Sequence, residues 1–101
     1  MWAQLIKATI KPGREGEVRQ IYDEYDRQID AGTGWVRSFS LINRNNRREM
    51  YGLVMFESEE KAREYERSGQ QSEMTARLGE CMEGAPTFVD FDDVVEYAPR
   101  S

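Results

Sequence analysis

The run MYGLVMF at residues 50–56 is apolar on both of the faces that a β-strand presents. Its alternate side chains form two apolar sets, Tyr51, Leu53 and Met55 on one face and Met50, Val54 and Phe56 on the other, around Gly52. A strand with one face in water alternates apolar with polar residues instead. The sequence therefore predicts a strand in the interior of a sheet, with cover needed on both of its faces.

The chain before this run has first a strand pattern and then a helix pattern. Residues 2–10 (WAQLIKATI) have the length and β-branched character of a strand. From residue 13 to about residue 31, apolar residues recur at offsets of three, four and seven, which predicts a helix with one apolar stripe. The stripe consists of Val18, Ile21, Tyr22, Tyr25 and Ile29. After a glycine-rich stop at 32–34, a second strand is predicted at about 35–43.

A tip rich in asparagine and arginine, residues 43–48, joins the second strand to a third strand predicted at about 49–57. Asparagine accepts left-handed turn geometry, so the two strands are expected to form an antiparallel hairpin. The arginines of the tip could alternatively contact nucleic acid. However, the chain has 14 basic and 19 acidic residues, and its net charge of −5 opposes attraction to a phosphate backbone. We expect a solvated turn and no nucleic-acid partner.

The segment after the third strand predicts two helical pieces. Ser58 is placed to cap the first piece, with two glutamates in the first turn, where the helix dipole favours negative charge. Gly69 is expected to interrupt this helix. A second piece, from Ser72 to about Glu83, presents one apolar face. That face consists of Met74, Leu78, Cys81 and Met82.

Gly84 and Pro86 are expected to end the second piece, and a last strand is predicted at about 87–97. The order βαββαβ is the ferredoxin-like α+β arrangement, a four-stranded antiparallel sheet with both helices on one face.

A chain of this length fits a single domain, residues 1–101. Because helices cover only one face, the other apolar face needs a partner. A second copy of the sheet is the economical cover, which predicts a homodimer with two sheets packed face to face.

Composition also limits partners and location. No apolar stretch approaches the ~20 residues that span a bilayer, and the first residues lack the pattern of a secretory signal. We therefore expect no membrane partner and a cytoplasmic location. Cys81 is the only cysteine, which excludes an intrachain disulfide and a thiolate metal cluster within one chain.

Two passages give the chain a family resemblance. The strand-to-helix passage ATIKPGREGEV (8–18), the passage LVMFESEEKAREYERS (53–68) and a sheet that needs a partner together resemble the antibiotic biosynthesis monooxygenase-like proteins of the dimeric α/β barrel superfamily. Both passages mark the fold rather than a reaction. The resemblance implies a family that mixes cofactor-free oxygenases of polycyclic aromatic substrates, haem-degrading enzymes and members without a known activity.

The haem-degrading branch of that family uses an asparagine, a tryptophan and a histidine. Ile6, Tyr65 and Thr75 occupy the corresponding positions here, and the chain contains no histidine. An iron-ligating imidazole and the catalytic triads that use histidine as base are therefore excluded. We expect neither haem nor a transition metal as a cofactor.

For a cofactor-free oxygenase, the resemblance implies an aromatic pocket between helices and sheet that binds a phenolic substrate and favours its anion. The residues that could line it are Tyr65, Trp35, Arg37, Asn43 and Tyr51, with Tyr22 and Tyr25 from the helix stripe. Tyr65 falls at the family's aromatic position in the second helix. Trp35, Arg37 and Asn43 share strand parity and could point into the same space.

Each of these residues also has an ordinary structural interpretation. Tyr22 and Tyr25 fit an amphipathic core stripe, Trp35 fits edge packing, and Arg37 and Asn43 fit solvated strand positions. Three hypotheses stay open: a homodimeric cofactor-free monooxygenase, a noncatalytic binder of a small apolar ligand, and an accessory module that fills its own pocket. A cavity beside Tyr65, opened by the helix break near Gly69, would favour the first two.

Overall fold

The computed structural model describes residues 1–29 and 31–100. Its elements, in chain order, are β1 (Trp2–Ile10), α1 (Glu15–Asp26), a 3₁₀ turn (Ala31–Thr33), β2 (Trp35–Asn43), β3 (Asn46–Phe56), α2 (Glu59–Glu66), α3 (Gly69–Glu80) and β4 (Met82–Phe91). The bounds of β1 and β2 are those that the sequence predicts. Both strands have β-branched or aromatic residues between polar breaks, which is the clearest strand signal a sequence gives.

The four strands form one sheet in the order β2-β3-β1-β4, and all neighbours pair antiparallel. β3 lies in the interior, as its two apolar faces predict. Apolar residues of α1, α2 and α3 pack against even-numbered residues of β1 and β3, which places the helices on one face of the sheet. The predicted ferredoxin-like fold is confirmed.

The β2–β3 hairpin closes through residues 44 and 45, and β3 begins at Asn46 rather than near residue 49. Asn43 Oδ1 accepts a hydrogen bond from the Asn45 amide at 2.9 Å, which tightens the turn. Arg48 is occupied by structural contacts, since its Nε donates to Ile10 O at 2.9 Å and its guanidinium pairs with Glu83. The basic tip is therefore largely a turn and a strand start.

Helix α1 ends at Asp26, earlier than the residue 31 predicted from the apolar stripe. The amides of Gln28 and Ile29 both bond back to Tyr25 O, at 3.0 and 3.2 Å, which closes the last turn. Ile29 still packs inward, against Phe56 and its neighbours. A turn after the helix thus satisfies the apolar position that the sequence assigned to a longer helix.

The break between α2 and α3 lies at a capping serine. Ser58 caps α2 as predicted, with its side chain accepting from the Lys61 amide at 3.2 Å. Ser68 caps α3 by accepting from the Gln71 amide at 3.3 Å, so α3 begins at Gly69 and not at Ser72. The prediction of two pieces is correct, but the second piece starts a turn earlier because a serine side chain satisfies its first amides.

Strand β4 is shifted toward the amino terminus relative to the prediction of 87–97. It runs from Met82 to Phe91, and Gly84 and Pro86 lie within it. Lys7 pairs with Thr87 and Thr9 with Glu83, so residues 84–86 bulge opposite Ala8 alone. Gly84 supplies the positive φ of +69° that the bulge needs, and an edge strand tolerates proline there.

Two packed clusters lie on the helix-covered face. The first consists of Ile10, Val18, Ile21, Tyr25, Met50 and Cys81, and the second of Trp2, Phe56, Ala62 and Tyr65. Cys81 is fully buried where α3 meets β4, and its carbonyl accepts the Lys11 amide at 2.8 Å. Burial raises the pKa of the Cys81 thiol, which keeps it protonated and unreactive.

The outer face of the sheet, which points away from the helices, carries odd-numbered residues of all four strands. Several of its apolar side chains are 42–50% exposed: Phe39, Leu41, Val89 and Phe91. Tyr51, Leu53 and Leu5 continue this apolar surface across β3 and β1. Nothing in the described chain covers its centre, so a broad apolar sheet surface is open to solvent.

One end of the outer face is covered by the segment that follows β4. Paired residues form one row across the four strands: Phe91, Ala3, Met55 and Arg37. Ala3 and Met55 are only 3% and 6% exposed, and Arg37 Nη1 lies 2.6 Å from Glu96 Oε1. The chain beyond Phe91 therefore crosses the sheet along this row, from the β4 edge to the β2 edge.

Candidate functional site

Two adjoining cavities lie between the helices and the sheet. The first has a volume of about 320 Å³ and the second of about 570 Å³. The two spaces meet above the middle of β1, because six of the described residues border both of them: Gln4, Ile6, Tyr22, Glu66, Gln71 and Met74. Small-molecule sites occupy roughly 300–1,000 Å³. Tyr65 borders the first cavity.

Small residues in the middle of the sheet leave this space open. On the helix-covered face, Gly52 of β3 pairs with Ser40 of β2 and with Ile6 of β1. A Cβ atom added to Gly52 would lie 3.5 Å from Tyr22 Oη and 3.9 Å from Ile6, which is ordinary contact distance. Tyr22 therefore reaches from α1 to the middle of β3. The cavities occupy the gap between the two packed clusters.

Aromatic rings form the walls of the first cavity. Trp2, Trp35, Phe56 and Tyr65 all border it. The rings of Phe56 and Tyr65 lie 5.8 Å apart between centroids, at an angle of 42°. Trp35 Nε1 donates to Ser38 Oγ at 2.8 Å, which fixes the orientation of the indole. The structure thus brings together the tryptophan of β2 and the tyrosine of α2 that the sequence nominated as walls.

The hydroxyl group of Tyr65 lacks a partner. Tyr65 is 8% exposed, and among the described residues its Oη is the one buried side-chain oxygen or nitrogen atom without a hydrogen bond. Burial, followed by the neighbouring Tyr25, raises the pKa of Tyr65. An unpaired buried hydroxyl costs about 1–3 kcal/mol, and such groups are often found at functional sites. An acceptor atom on a ligand would satisfy it.

A second tyrosine hydroxyl lies where the two cavities meet. Burial raises the pKa of Tyr22 to about 12, so its hydroxyl is neutral at physiological pH and can donate a hydrogen bond. The part of the chain that the structure describes provides no hydrogen-bond partner for it. The charged residues that border the first cavity are exposed: Arg19, Asp23, Asp26, Arg37 and Glu66. The interior of the cavity therefore offers neutral donors.

Arg37 is turned away from the aromatic walls, although it borders the first cavity. Trp35 pairs with Phe56, whereas Arg37 pairs with Met55, so β2 contains a bulge between them. The extra residue reverses the alternation, and the Arg37 guanidinium binds Glu96 on the outer face. Because of this bulge, Arg37 and Trp35 do not point to the same face of β2, although they share parity in the sequence.

Asn43 and Tyr51 also lie on the outer face, where both bind Glu49. Asn43 Nδ2 donates to Glu49 Oε2 at 3.1 Å, Tyr51 Oη donates to Oε1, and Lys7 Nζ lies 3.7 Å from Oε1. The hydrogen bond from Tyr51 holds the pKa of Glu49 below its usual range, and the same bond raises the pKa of Tyr51. These polar groups satisfy one another and border neither cavity.

The sequence left Tyr22 with two interpretations, as a core residue and as a substrate contact. In the structure its ring packs against the first cluster while its hydroxyl lies at the junction of the cavities. A signal for this position was present in Gly52, because a glycine in the middle of an interior strand often marks close approach by another group.

Comparison with solved structures identifies the fold. A structure named antibiotic biosynthesis monooxygenase superposes with a TM-score of 0.79 at 12% identity, over 94% of this chain and 100% of that chain. A candidate antibiotic biosynthesis monooxygenase from Caulobacter crescentus gives 0.82 at 15% identity, over 93% and 90%. A second candidate, from Nitrosomonas europaea, gives 0.81 at 10% identity, over 94% and 100%. The chain has the antibiotic biosynthesis monooxygenase-like fold.

The monooxygenase-like fold confirms the resemblance that the two sequence passages suggest. No protein-family model matches the sequence, and no curated protein matches it. Structural similarity at 10–15% identity shows the fold and does not show the substrate, because proteins of one fold catalyse many different reactions. The cavities themselves are therefore the guide to function.

The described ranges of the chain contain no helix that is both long and apolar enough to cross a membrane. Within the same ranges, no three His, Cys, Asp or Glu side chains are grouped as metal ligands. Asp90 of β4 accepts hydrogen bonds from Gln4 and Arg63.

Proposed function

We propose that the chain is a small homodimeric monooxygenase-like protein that binds a phenolic or related aromatic ligand in the first cavity and oxygenates it without a cofactor. The observation that carries the proposal is the unpaired hydroxyl of Tyr65 in an aromatic-walled space. A phenolic oxygen can accept a hydrogen bond from this hydroxyl, and the ring can pack against Trp35. Sites that combine apolar walls with a few convergent polar groups are typical of ligand binding.

The chemistry requires that the substrate supply the electrons. A phenolate transfers an electron to dioxygen, and recombination then forms a carbon–oxygen bond at a ring carbon. Loss of water leaves a quinone, so a phenol and O₂ give a quinone and H₂O. The hydroxyl of Tyr65 donates a hydrogen bond to the phenolic oxygen and favours the phenolate form. The phenolic proton leaves through the charged, solvent-exposed rim of the cavity.

The homodimer is proposed from the outer face of the sheet. Phe39, Leu41, Val89 and Phe91 are roughly half exposed there, next to the apolar centre of β3. A stable interface buries about 800 Å² on each partner. The interfaces of permanent dimers are mostly apolar, as this sheet surface is. Two outer faces packed together would cover the surface that the helices leave open.

A noncatalytic ligand-binding role is the second candidate. The observation that favours it is the absence of a charged group from the walls of the first cavity, among the residues described, away from its rim. Neutral hydroxyls can hold a ligand oxygen without activating it. This role predicts saturable binding of a phenol with no consumption of oxygen.

The experiment combines ligand titration with oxygen uptake. A phenolic ligand should quench tryptophan fluorescence saturably, and an oxygen electrode should then record consumption that depends on both protein and ligand. Tyr65→Phe should weaken binding or turnover by about two- to tenfold, the worth of one hydrogen bond. Trp35→Ala should lower it by about tenfold or more through lost aromatic contact.

Tyr97→Phe is the matched control, because Tyr97 is 90% exposed and lies after β4. It should bind and consume oxygen as the unmodified chain does. Binding that survives in Tyr65→Phe and Trp35→Ala at full strength would place the ligand elsewhere. Full binding without oxygen consumption would leave the noncatalytic role.

A further inference from the structure

The second cavity differs from the first in the chemistry of its walls. Its apolar lining is mostly aliphatic and thioether, with Phe88 as an exposed ring at its edge. The aliphatic and thioether side chains are those of Ile6, Ala8, Met50, Met74, Leu78 and Met82. Methionine side chains are flexible and polarizable and adapt to irregular apolar shapes. Flat rings gain most from aromatic walls, whereas aliphatic and thioether walls suit a flexible chain. The two cavities thus favour two different parts of a ligand.

On one side of the second cavity, beside Gln4, lie polar groups that already bind each other. Asp90 accepts hydrogen bonds from Gln4 Nε2 at 2.9 Å and from Arg63 Nη2 at 3.0 Å. Arg63 also binds Glu59 and Glu66 of its own helix. The groups of this network satisfy one another, so the apolar lining of the second cavity is what a ligand meets beside them, and that lining suits an apolar part of the ligand.

Tyr22 lies where the two cavities meet. Its hydroxyl is above the middle of β3, beside Gly52, and it borders both spaces. A donor at this junction selects an acceptor oxygen at the point where a ring and a chain are joined. The aromatic walls, the junction donor and the apolar second cavity lie in that order along the sheet.

We propose that the two cavities bind one bipartite ligand, an aromatic ring joined through an acceptor oxygen group to an alkyl chain. The ring lies against Trp35 and Tyr65, the junction oxygen accepts from Tyr22 Oη, and the chain lies beside Met74 and Leu78. The inference rests on the proposed function for its ring-binding half. It adds the chemical class of the ligand and a separate site for the chain.

The test is a titration of the full chain with alkyl 4-hydroxybenzoates, from the methyl to the heptyl ester. These probes have a phenol, a junction carbonyl and a chain of variable length. Each added methylene that enters an apolar site should tighten the dissociation constant up to about fourfold, until the second cavity is full. Tyr22→Phe should weaken all members by about two- to tenfold, through one lost hydrogen bond.

Gly79→Leu blocks the second cavity without touching the first. Gly79 borders the second cavity, on the same face of α3 as Thr75 and Leu78, and no atom lies within 4 Å of an added Cβ. Its matched control is Gly16→Leu in α1, where an added Cβ also meets nothing and neither cavity is bordered. The dependence on chain length should disappear in Gly79→Leu and persist in Gly16→Leu.

Three results would overturn the inference. In the first, the methyl ester binds but the heptyl ester binds no tighter, which leaves the proposed function intact. In the second, chain length matters equally in Gly79→Leu and Gly16→Leu, which places the chain on the outer face or another surface. In the third, the methyl ester itself fails to bind, which removes the proposed function together with the bipartite ligand.

Discussion

The two faces of the sheet are both rich in apolar side chains, but the chain covers only one of them. On the helix-covered face, clusters around Ile10 and Phe56 are tightly packed, and a gap lies between them at Gly52. On the outer face, apolar side chains around the centre of the sheet are about half exposed. A narrow space with two neutral hydroxyls suits a small ligand, and a broad apolar surface suits a second sheet. The comparison assigns different occupants to the two faces.

The largest expected effect is on the outer face. Leu53→Lys places a charge at the centre of that face, and burying it unpaired twice in a symmetric dimer costs several kcal/mol. We expect the dissociation constant of the dimer to rise about a thousandfold, as measured by light scattering over a dilution series. Gln20→Lys, on the exposed surface of α1, should leave the dimer unchanged. An unmodified chain that is monomeric at micromolar concentration would break the comparison.

The second effect concerns the covered face at alkaline pH. Because burial raises the pKa of Tyr22 to about 12, the unfolded chain ionises this group near pH 10 while the folded chain keeps it neutral. The free energy of unfolding should therefore fall between pH 10 and 12, by at most about 3 kcal/mol from this group. Tyr22→Phe should flatten that fall in urea titrations, whereas Tyr97→Phe should not. Equal slopes in all three chains would show that Tyr22 is solvated.

The smallest expected effect concerns the gap at Gly52, which separates the two packed clusters on the helix-covered face. Gly52→Ala adds a methyl group at ordinary contact distance and removes a flexible glycine from an interior strand. The free energy of unfolding should rise by about 0.5–1 kcal/mol, while the affinity for a phenolic ligand falls. Chemical denaturation and ligand titration on the same preparation measure both quantities. Stabilisation without loss of affinity would mean that the ligand does not use this gap.

The fold was largely predictable because its signals are local. β1 and β2 have alternating or β-branched runs with clear ends. Ser58 is followed by two glutamates, a pattern that marks the start of a helix. The start of β4 was missed because Gly84 and Pro86 normally stop an element. On an edge strand they form a bulge instead, and edge position is a property of the whole sheet.

The candidate site was predictable only in part. Tyr65 and Trp35 meet at the first cavity because a helix position and a strand start both keep their expected directions. Arg37 does not follow Trp35, since one extra residue in β2 reverses the alternation and no local pattern marks it. Asn43 and Tyr51 are held by Glu49 on the outer face, a contact between strands that sequence spacing does not show.

The burial of Cys81 has a practical consequence for measuring the assembly. Its thiol is fully shielded and its pKa is raised by burial, so maleimide reagents should not label the native fold at neutral pH. A cysteine introduced at the exposed position of Tyr97 would then be the one reactive thiol per chain. Spin labels attached there would report the separation between two copies by pulsed electron resonance, with the native cysteine left in place.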